Sequence, residues 1–350
     1  MTKLTRGLAA LGLSGMLAVS AAHAQSNLTA ETSSPGNSPH ASILHLAEVA
    51  SAAGIADLQV QDGQTLTNSV LNVAEGRTDI SAMPLILGFL MSKGRGPYSK
   101  LGDAGAEKAA NLRALYPYNA GAYGLIALES EGIDSWDKLK GKNVWNGPPR
   151  GAALVNARQA IFLAAGFKDG EDYTGHQANW GQLPTLLVDG SMDAFVFPLT
   201  FPSARAVTMQ AAGNVVMVST PKDVFESEAY QKIFNAPGNV PIVIGWDEMG
   251  YEDGKGIRLQ SEDNTFRGLG TAFADVVHKD MSDDMAKALT AEYIRTIPQL
   301  KEKTAYMKNV GVGILDPKLS GFCGINPVKY HPGAVAAWEE AGVTVPDCAK

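Results

Sequence analysis

Apolar residues follow helical and then strand-like spacing along the first part of the chain. Between residues 43 and 53 they recur every three or four positions, which predicts an amphipathic helix, and Gly54 follows as a stop. Residues 57–60 form a short extended stretch, residues 67–74 a second helix, and residues 80–83 a buried strand. This alternation predicts a parallel sheet covered by helices, which is the α/β class.

The alternation resumes near Pro117 and predicts a second lobe. The predicted strands there are residues 123–128, 143–146, 195–197 and 215–219, with a helix-and-turn segment at residues 133–141 and an amphipathic helix at residues 154–165. Two further helices, at residues 266–278 and 281–297, are predicted after the chain returns to the first lobe. A cluster of Pro and Gly at residues 237–241 marks the return of the chain to the first lobe. We therefore expect lobe I to comprise residues 25–116 and 241–350, with the C-terminal segment, and lobe II residues 117–240. Two crossings between lobes would make a hinge, with a ligand cleft between the lobes.

One phrase occurs twice in the chain. It is Val-Ala-Glu-Gly-Arg-Thr-Asp-Ile at residues 73–80 and Leu-Val-Asp-Gly-Ser-Met-Asp-Ala at residues 187–194. In both copies Gly ends a helix and Asp precedes an apolar strand. Two unrelated helix-to-strand turns would give the same letters. The shared context of a helix before and a strand after favours two similarly built lobes.

The N-terminus has the pattern of a secretory signal peptide. Lys3 and Arg6 precede an apolar run over residues 7–22, and Ala22-His23-Ala24 provides a cleavage site before Gln25. A membrane anchor is the alternative, but the apolar run is short and rich in small residues. Since there is no Cys near the cleavage site, a lipid anchor is not expected. We expect cleavage after Ala24 and a periplasmic protein.

The charge composition limits which partners the protein can have. The chain has 36 acidic and 29 basic residues and a formal net charge of −7, which disfavours nucleic acid as a partner.

Cys323 and Cys348 predict a disulfide in an oxidising compartment. The alternative is a catalytic thiol served by His331. The mature chain shows no nucleophile elbow, no H-E-x-x-H pair and no phosphate-binding loop, so we expect no enzyme, no cofactor and no metal.

Four segments carry a family resemblance: residues 34–38, residues 132–144, the Gly-Pro-Pro of residues 147–149, and Tyr-His-Pro-Gly-Ala at residues 330–334 followed by Glu-Ala-Gly at 340–342. In order and spacing they resemble the solute-receptor subunits of TRAP transporters, of the subgroup called TAXI. The resemblance implies a type II periplasmic-binding-protein fold, ligand capture by lobe closure, and delivery to a TRAP-type membrane permease. The ligand it implies is a small organic anion, a carboxylate such as a glutamate-like compound or a dicarboxylate.

This sequence departs from the family pattern in both predicted loops. Arg150, Gly151, Ala152 and Ala153 stand where the family has Gly-Ser-Gly-Thr, and Pro39 and His40 replace two tyrosines. Side-chain hydroxyls are lost and a guanidinium is gained. We therefore expect the ligand to be a small organic anion, as in the family, and leave its identity open.

Loops that open helices provide the candidate site, because they present unpaired backbone N–H groups and the positive end of a helix dipole. Arg150 could clamp a carboxylate with two parallel hydrogen bonds. The predicted ligand-binding residues are Ser34, Gly36, Asn37, Ser38, Gln64, Thr65, Asn119, Asn146, Arg150, Gly151, Ala152, Ala153 and Phe197. The alternative is that they are ordinary caps and turns, with Arg150 in water and Phe197 in the core.

The sequence thus predicts a monomeric extracytoplasmic solute receptor that binds a small organic anion and delivers it to a permease. Two other functions stay open. One is a periplasmic receptor that reports to a membrane sensor. The other is a periplasmic enzyme on the same fold.

Overall fold

The computed structural model describes residues 26–350, so the predicted signal peptide lies outside the described residues. The strands are β1 (Ser26–Glu31), β2 (Ala56–Gln61), β3 (Ile80–Pro84), β4 (Leu112–Leu128), β5 (Asn143–Trp145), β6 (Thr174–His176), β7 (Ala194–Leu199), β8 (Val215–Val218), β9 (Asn239–Gly245), β10 (Ile257–Gln260), β11 (Thr265–His278) and β12 (Lys329–Tyr330). The helices are α1 (Ser38–Ala52), α2 (Leu66–Ala74), α3 (Leu85–Ser92), α4 (Ala104–Ala109), α5 (Ala152–Ala165), α6 (Leu183–Leu186), α7 (Ala204–Met209), α8 (Lys222–Glu226), α9 (Glu228–Ile233), α10 (Asp283–Lys303), α11 (Pro317–Ser320) and α12 (Pro332–Glu340). Within residues 26–350, no helix is both long and apolar enough to cross a membrane.

The strand order is the same in the two halves of the sheet. In the first half it is β2-β1-β3-β11-β4, and β11 runs antiparallel to both of its neighbours. In the second half it is β6-β5-β7-β4-β8, and here β4 is the antiparallel strand. Each half is therefore a parallel βα unit into which a strand from the other half is inserted. This confirms the predicted α/β class and the two-lobe, type II periplasmic-binding-protein fold.

The repeated phrase occupies the same place in both halves, immediately before β3 and before β7. Gly76 and Gly190 both have left-handed backbone conformations, with φ of 69° and 72°. The Asp79 carboxylate accepts the backbone N–H of Thr29 in β1 at 2.8 Å. The Asp193 carboxylate accepts the backbone N–H of Asn143 in β5 at 2.6 Å. Both aspartates thus tie the start of the third strand to the first strand, so the interpretation of two similarly built lobes is confirmed.

Three groups of buried apolar residues form the cores. One lies in the first lobe, and the other two lie on the two faces of the second-lobe sheet. Along β4 the side chains pass from the first-lobe core at Ala120 to a second-lobe core at Ala122. Along β11 they pass from the second lobe at Leu269 to the first lobe at Ala272. We therefore propose crossings near residues 121 and 270, within the two long strands.

The second of these crossings differs from the boundary at residue 240 expected from the Pro and Gly cluster. Residues after that cluster still pack in the second lobe, since Ile244, Met249 and Phe266 belong to one of its cores. The Pro and Gly residues mark the start of β9, which pairs with β11 at the crossing.

The predicted helix over residues 266–278 is wrong, because this segment is the central strand β11. Almost every side chain in it is buried, so it shows no alternation of polar and apolar positions. Gly268 and Gly270 lie against neighbouring strands. A Cβ at Gly268 would lie 2.6 Å from the Tyr123 carbonyl oxygen, and one at Gly270 2.5 Å from the Ile242 side chain. Strand β1 was not predicted from the sequence, because its first residues are polar and exposed.

The predicted disulfide joins Cys323 and Cys348, whose Cα atoms lie 5.2 Å apart. Val345 and Ala349 next to it are fully buried in the first-lobe core. The bond therefore holds the C-terminal segment against the first lobe, as expected.

Candidate functional site

The predicted loop of the first lobe opens α1, and its side chains bind to the loop itself. The Asn37 side-chain oxygen accepts from the His40 backbone N–H at 3.2 Å, and its amide donates to the Ser34 carbonyl at 2.8 Å. The Ser38 hydroxyl donates to the Asn119 carbonyl at 2.8 Å. What this loop can offer a ligand is its backbone N–H groups and the helix dipole.

The second predicted loop of this lobe lies between β2 and α2. Gln64 and Thr65 are exposed, and the Gln64 amide donates to the Asp62 carbonyl at 2.9 Å. Gly36, in the α1 loop, adopts a left-handed conformation with φ of 86°. These positions are open to solvent at the predicted edge of the cleft.

In the second lobe, the side chain of Asn146 hydrogen-bonds with other residues of the lobe. It is fully buried, its amide donates to the Asp169 carboxylate at 3.0 Å, and its oxygen accepts from the Gln177 amide at 2.8 Å. Arg150 is exposed and forms no hydrogen bond or ion pair with any residue in the described part of the chain. Gly151, Ala152 and Ala153 begin α5 and are partly buried.

Phe197 is a core residue, only 1% exposed, and its ring lies 5.9 Å from that of Trp145. Its position nevertheless matters, because it lies beneath the side chain of Arg205. The guanidinium carbon of Arg205 is 5.3 Å from the Phe197 ring centroid and 4.4 Å from that of Trp180. Such contacts stabilise a cation by about 0.5–2 kcal/mol each.

Arg205 begins α7, just after the carboxyl end of β7, and sequence reasoning missed it. The side chain is partly open to solvent, yet its surroundings desolvate it enough to lower its pKa to about 10, against the opposing effects of Tyr123 and Tyr306. It forms no ion pair with any Asp or Glu among residues 26–350. A desolvated cation without a counter-charge is costly, and most proteins avoid it.

Residues from both lobes meet around this guanidinium. Tyr123 lies in β4 and belongs to a second-lobe core, and Tyr306 belongs to the first-lobe core. The Tyr306 hydroxyl donates to the Asn37 carbonyl at 3.1 Å, which connects the Arg205 region to the α1 loop. The part of the cleft formed by Arg205, Trp180, Phe197, Tyr123 and Tyr306 is called the Arg205 site below.

Uncharged polar groups lie next to the Arg205 site, where β4, β11 and α5 meet. The Asn156 amide donates to the Thr271 hydroxyl at 3.2 Å, and both side chains also hydrogen-bond with the Tyr123 hydroxyl. Burial raises the pKa of Tyr123 well above its usual range, so its hydroxyl keeps its proton. This group can donate hydrogen bonds but adds no charge.

A cavity of about 350 Å³ lies between the lobes and is lined by Asn119, Gly121, Thr200, Ile242 and Tyr306, among others. Of the predicted ligand-binding residues, Asn119 reaches this cavity. Arg205 is not part of its lining, and Tyr306 is the residue that the cavity and the Arg205 site share. The cavity and the cation are therefore both close to Tyr306.

Residues 40–342 match the model of the NMT1-like family. The chain belongs to the NMT1-like family. No curated protein matches its sequence.

Solved structures similar to this NMT1-like protein include three solute-binding proteins. One is the Bordetella pertussis extracytoplasmic receptor DctP7 binding pyroglutamic acid, with 13% identity over 91% of this chain and 95% of that chain and a TM-score of 0.45. A TRAP periplasmic solute-binding protein from Shewanella oneidensis with bound succinate has 11% identity over 91% and 94% of the two chains and a TM-score of 0.45. The periplasmic nitrate-binding protein NrtA from Synechocystis PCC 6803 has 12% identity over 81% and 67%, with a TM-score of 0.43.

One signal in the sequence of this NMT1-like chain could have pointed to Arg205. Ligands of open α/β sheets bind beyond the carboxyl ends of the strands. The sequence predicts a strand at residues 195–197, and Arg205 is the first charged residue after it. The predicted ligand-binding residues instead lie mainly in the loops that open α1, α2 and α5, whose Ser, Asn and Gly residues also suit helix caps.

Proposed function

We propose that this NMT1-like protein is an exported solute receptor. It binds a small organic anion, a carboxylate, between its two lobes and delivers it to a TRAP-type membrane permease. The observation that carries the proposal is Arg205, a desolvated guanidinium that no carboxylate of residues 26–350 neutralises, at the place where both lobes meet.

The geometry favours an anion for a physical reason. The aromatic faces of Trp180 and Phe197 stabilise the cation from one side without neutralising it. A ligand carboxylate supplies the missing charge and can accept two parallel hydrogen bonds from the planar guanidinium. Such a bond to a charged group stabilises a complex by about 1.5–3 kcal/mol.

A receptor explains the neighbouring groups better than an enzyme does. A general base should have a pKa near the working pH, whereas burial raises the pKa of Tyr123 and Tyr306 above the usual tyrosine value. These hydroxyls are suited to donate hydrogen bonds and to orient a ligand. A receptor that reports to a membrane sensor would use the same site, so the permease is the part of the proposal that rests on the family resemblance.

The test compares two arginines. The ligand is first identified by native mass spectrometry of protein purified from its own cells, and its affinity is measured by isothermal titration calorimetry. We expect Arg205→Gln to weaken binding by about 1.5–3 kcal/mol, which is roughly 10-fold to 150-fold in Kd. Arg150→Gln is the matched control, because Arg150 is exposed and forms no hydrogen bond or ion pair with residues 26–350. It should leave Kd unchanged within about twofold.

Two further readouts complete this experiment. Without ligand, Arg205→Gln should melt no lower than the parent protein, since removing a desolvated, unpaired cation offsets the loss of its contacts with Trp180 and Phe197. Ligand recovered after long incubation should be chemically unchanged. An unaltered Kd for Arg205→Gln would refute the Arg205 site. A large loss of affinity in Arg150→Gln would show that the arginine before α5 binds the carboxylate. Turnover of the ligand would point to the enzyme.

The location and assembly state belong to the same proposal. We propose that residues 1–24 are a cleaved signal peptide and that the mature protein works as a periplasmic monomer. The N-terminal residue of the exported chain tests the first of these, and its mass in solution tests the second.

A further inference from the structure

The Arg205 site holds a single positive charge. The ionisable groups that influence Arg205 through charge are Tyr123 and Tyr306, and burial keeps both protonated and neutral. Two other arginines of the described chain are already paired with carboxylates. Arg267 contacts Asp263 at 2.7 Å, and Arg158 contacts Asp169 at 2.7 Å.

The walls around this charge are aromatic or uncharged. Trp180 and Phe197 present ring faces to the guanidinium. Tyr123, Asn156 and Thr271 are bonded among themselves and can offer a ligand only neutral hydrogen bonds. A second carboxylate here would be desolvated without a cation, which is unfavourable because a buried charge needs a partner.

The adjacent cavity does not supply a second site of purely positive charge. Lys301, Lys308 and Glu248 line it together, so its charges are mixed. Lys308 also contacts Glu302 at 3.4 Å and is largely exposed. Lys301 is therefore the residue on which a second carboxylate would have to rely.

We propose that the ligand is an organic monoanion, with one carboxylate on Arg205 and an uncharged remainder against the aromatic walls. This inference rests on the proposed function and narrows it, since the family resemblance also allowed dicarboxylates. A monoanion matches the charge of the site, and its neutral end can accept or donate hydrogen bonds at Tyr123 and Thr271.

The test uses acids and amides of the same shape. Succinate is compared with succinamate, glutarate with glutaramate, and terephthalate with its monoamide, by calorimetry at a pH where the acids are fully ionised. Each pair differs by one charge and little else. We expect at least one monoamide to bind, and to bind about tenfold or more tightly than its diacid, because one unpaired buried charge is worth at least that factor. The neutral diamide succinamide should not bind.

Binding at this site can be read independently from Trp180, which is in contact with Arg205. The change in tryptophan emission caused by a bound monoamide should be lost in Trp180→Phe, while Trp136→Phe, in another core, should keep it.

The outcomes separate this inference from the proposed function. If a diacid binds more tightly than its monoamide and Lys301→Gln abolishes the difference, the monoanion inference is overturned while the receptor for an organic anion stands. If none of the monoamides binds, the inference is also overturned. If succinamide binds as well as succinamate, the anion site itself is wrong and the proposed function fails with it.

Discussion

Asp275 is a fully buried carboxyl whose protonation should decide how the stability of the first lobe depends on pH. Its oxygens accept hydrogen bonds from the Ser42 hydroxyl at 2.7 Å and the Tyr118 hydroxyl at 2.7 Å. The Tyr293 hydroxyl lies 2.8 Å from that of Ser42. These partners are all neutral, and no Lys or Arg among residues 26–350 forms an ion pair with Asp275. Burial raises the pKa of Asp275 to about 7, although the hydroxyl groups act in the opposite direction.

The sign of the effect follows from proton uptake. In the unfolded chain an aspartate has a pKa of about 3.9. Between pH 4 and 7 the native state therefore holds a proton that the unfolded state has lost, and stability falls by about 1.4 kcal/mol for each pH unit. Below about pH 4 the penalty is absent, and above about pH 7 it is complete and constant.

Asp275→Asn removes this penalty, because the amide resembles the protonated acid and cannot ionise. Relative to the parent protein, the variant should gain about 3 kcal/mol in the free energy of unfolding between pH 5 and pH 8, with the whole change below pH 7. The comparison of two proteins is needed because His45 acts in the opposite direction. Burial, followed by Lys303, lowers the pKa of His45 to about 4. Its contribution to stability is therefore lost as pH falls from about 6.5 towards 4.

The assay is urea unfolding, followed by circular dichroism, at a series of pH values between 5 and 8. Asp263→Asn is the matched control. Its hydrogen bond from Arg267 lowers the pKa of Asp263 to about 2, so this carboxyl is ionised in both states throughout the range. Its replacement should shift stability by the same amount at every pH. If the difference between Asp275→Asn and the parent protein is also constant from pH 5 to 8, the reasoning about the buried acid is wrong.

Two other predictions concern the hinge and the covalent state. Gly121 lies at the proposed crossing with φ of 90°, and a Cβ there would collide with the Leu199 carbonyl oxygen. We therefore expect Gly121→Ala to lower the free energy of unfolding by more than the roughly 1 kcal/mol typical of left-handed strain. Gly36→Ala has similar strain with open space around it and serves as the control, and equal losses in urea unfolding would argue against the close approach at Gly121. Intact-mass analysis of the protein from the periplasm should find a chain that starts at Gln25 and is two hydrogens lighter than the reduced form, with Cys323 and Cys348 inert to alkylation before reduction. A full-length chain or two labelled thiols would contradict that prediction.

Much of the fold could be predicted because the local signals agree with the tertiary structure. The helix at residues 43–53 and the strand at residues 57–60 carry helical spacing and polar–apolar alternation, respectively. Residues 80–83 are buried on both faces, and their short length favours a strand. The repeated Gly-x-x-Asp phrase identified equivalent strands in the two lobes, since each copy makes the same turn and the same bond. The prediction for β11 was wrong because a strand buried on both faces shows no alternation, so spacing alone cannot distinguish it from a buried helix, and its 14-residue length suits a helix as well.

The candidate site could be predicted only in part. Ser, Asn and Gly before a helix have the same composition whether they cap the helix or bind an anion, and in the structure Asn37 and Ser38 use their side chains for the loop itself. The Arg205 site joins Trp180, Phe197, Tyr123 and Tyr306, which are distant in the sequence. No local pattern marks such a group, because its members share a place in the fold and not a spacing.

Asp275 and Arg205 are both desolvated and form no ion pair within residues 26–350, and they differ in how that cost can be relieved. Asp275 can become neutral by taking up a proton, because its pKa of about 7 lies within the physiological range. Arg205 cannot become neutral in the same way, since its pKa of about 10 leaves it charged at any pH in which the protein works. Its aromatic neighbours stabilise the charge without removing it. The remaining way to neutralise Arg205 is an anion from outside the chain. That difference is why we relate Asp275 to the stability of the first lobe and propose Arg205 as the residue that binds the ligand.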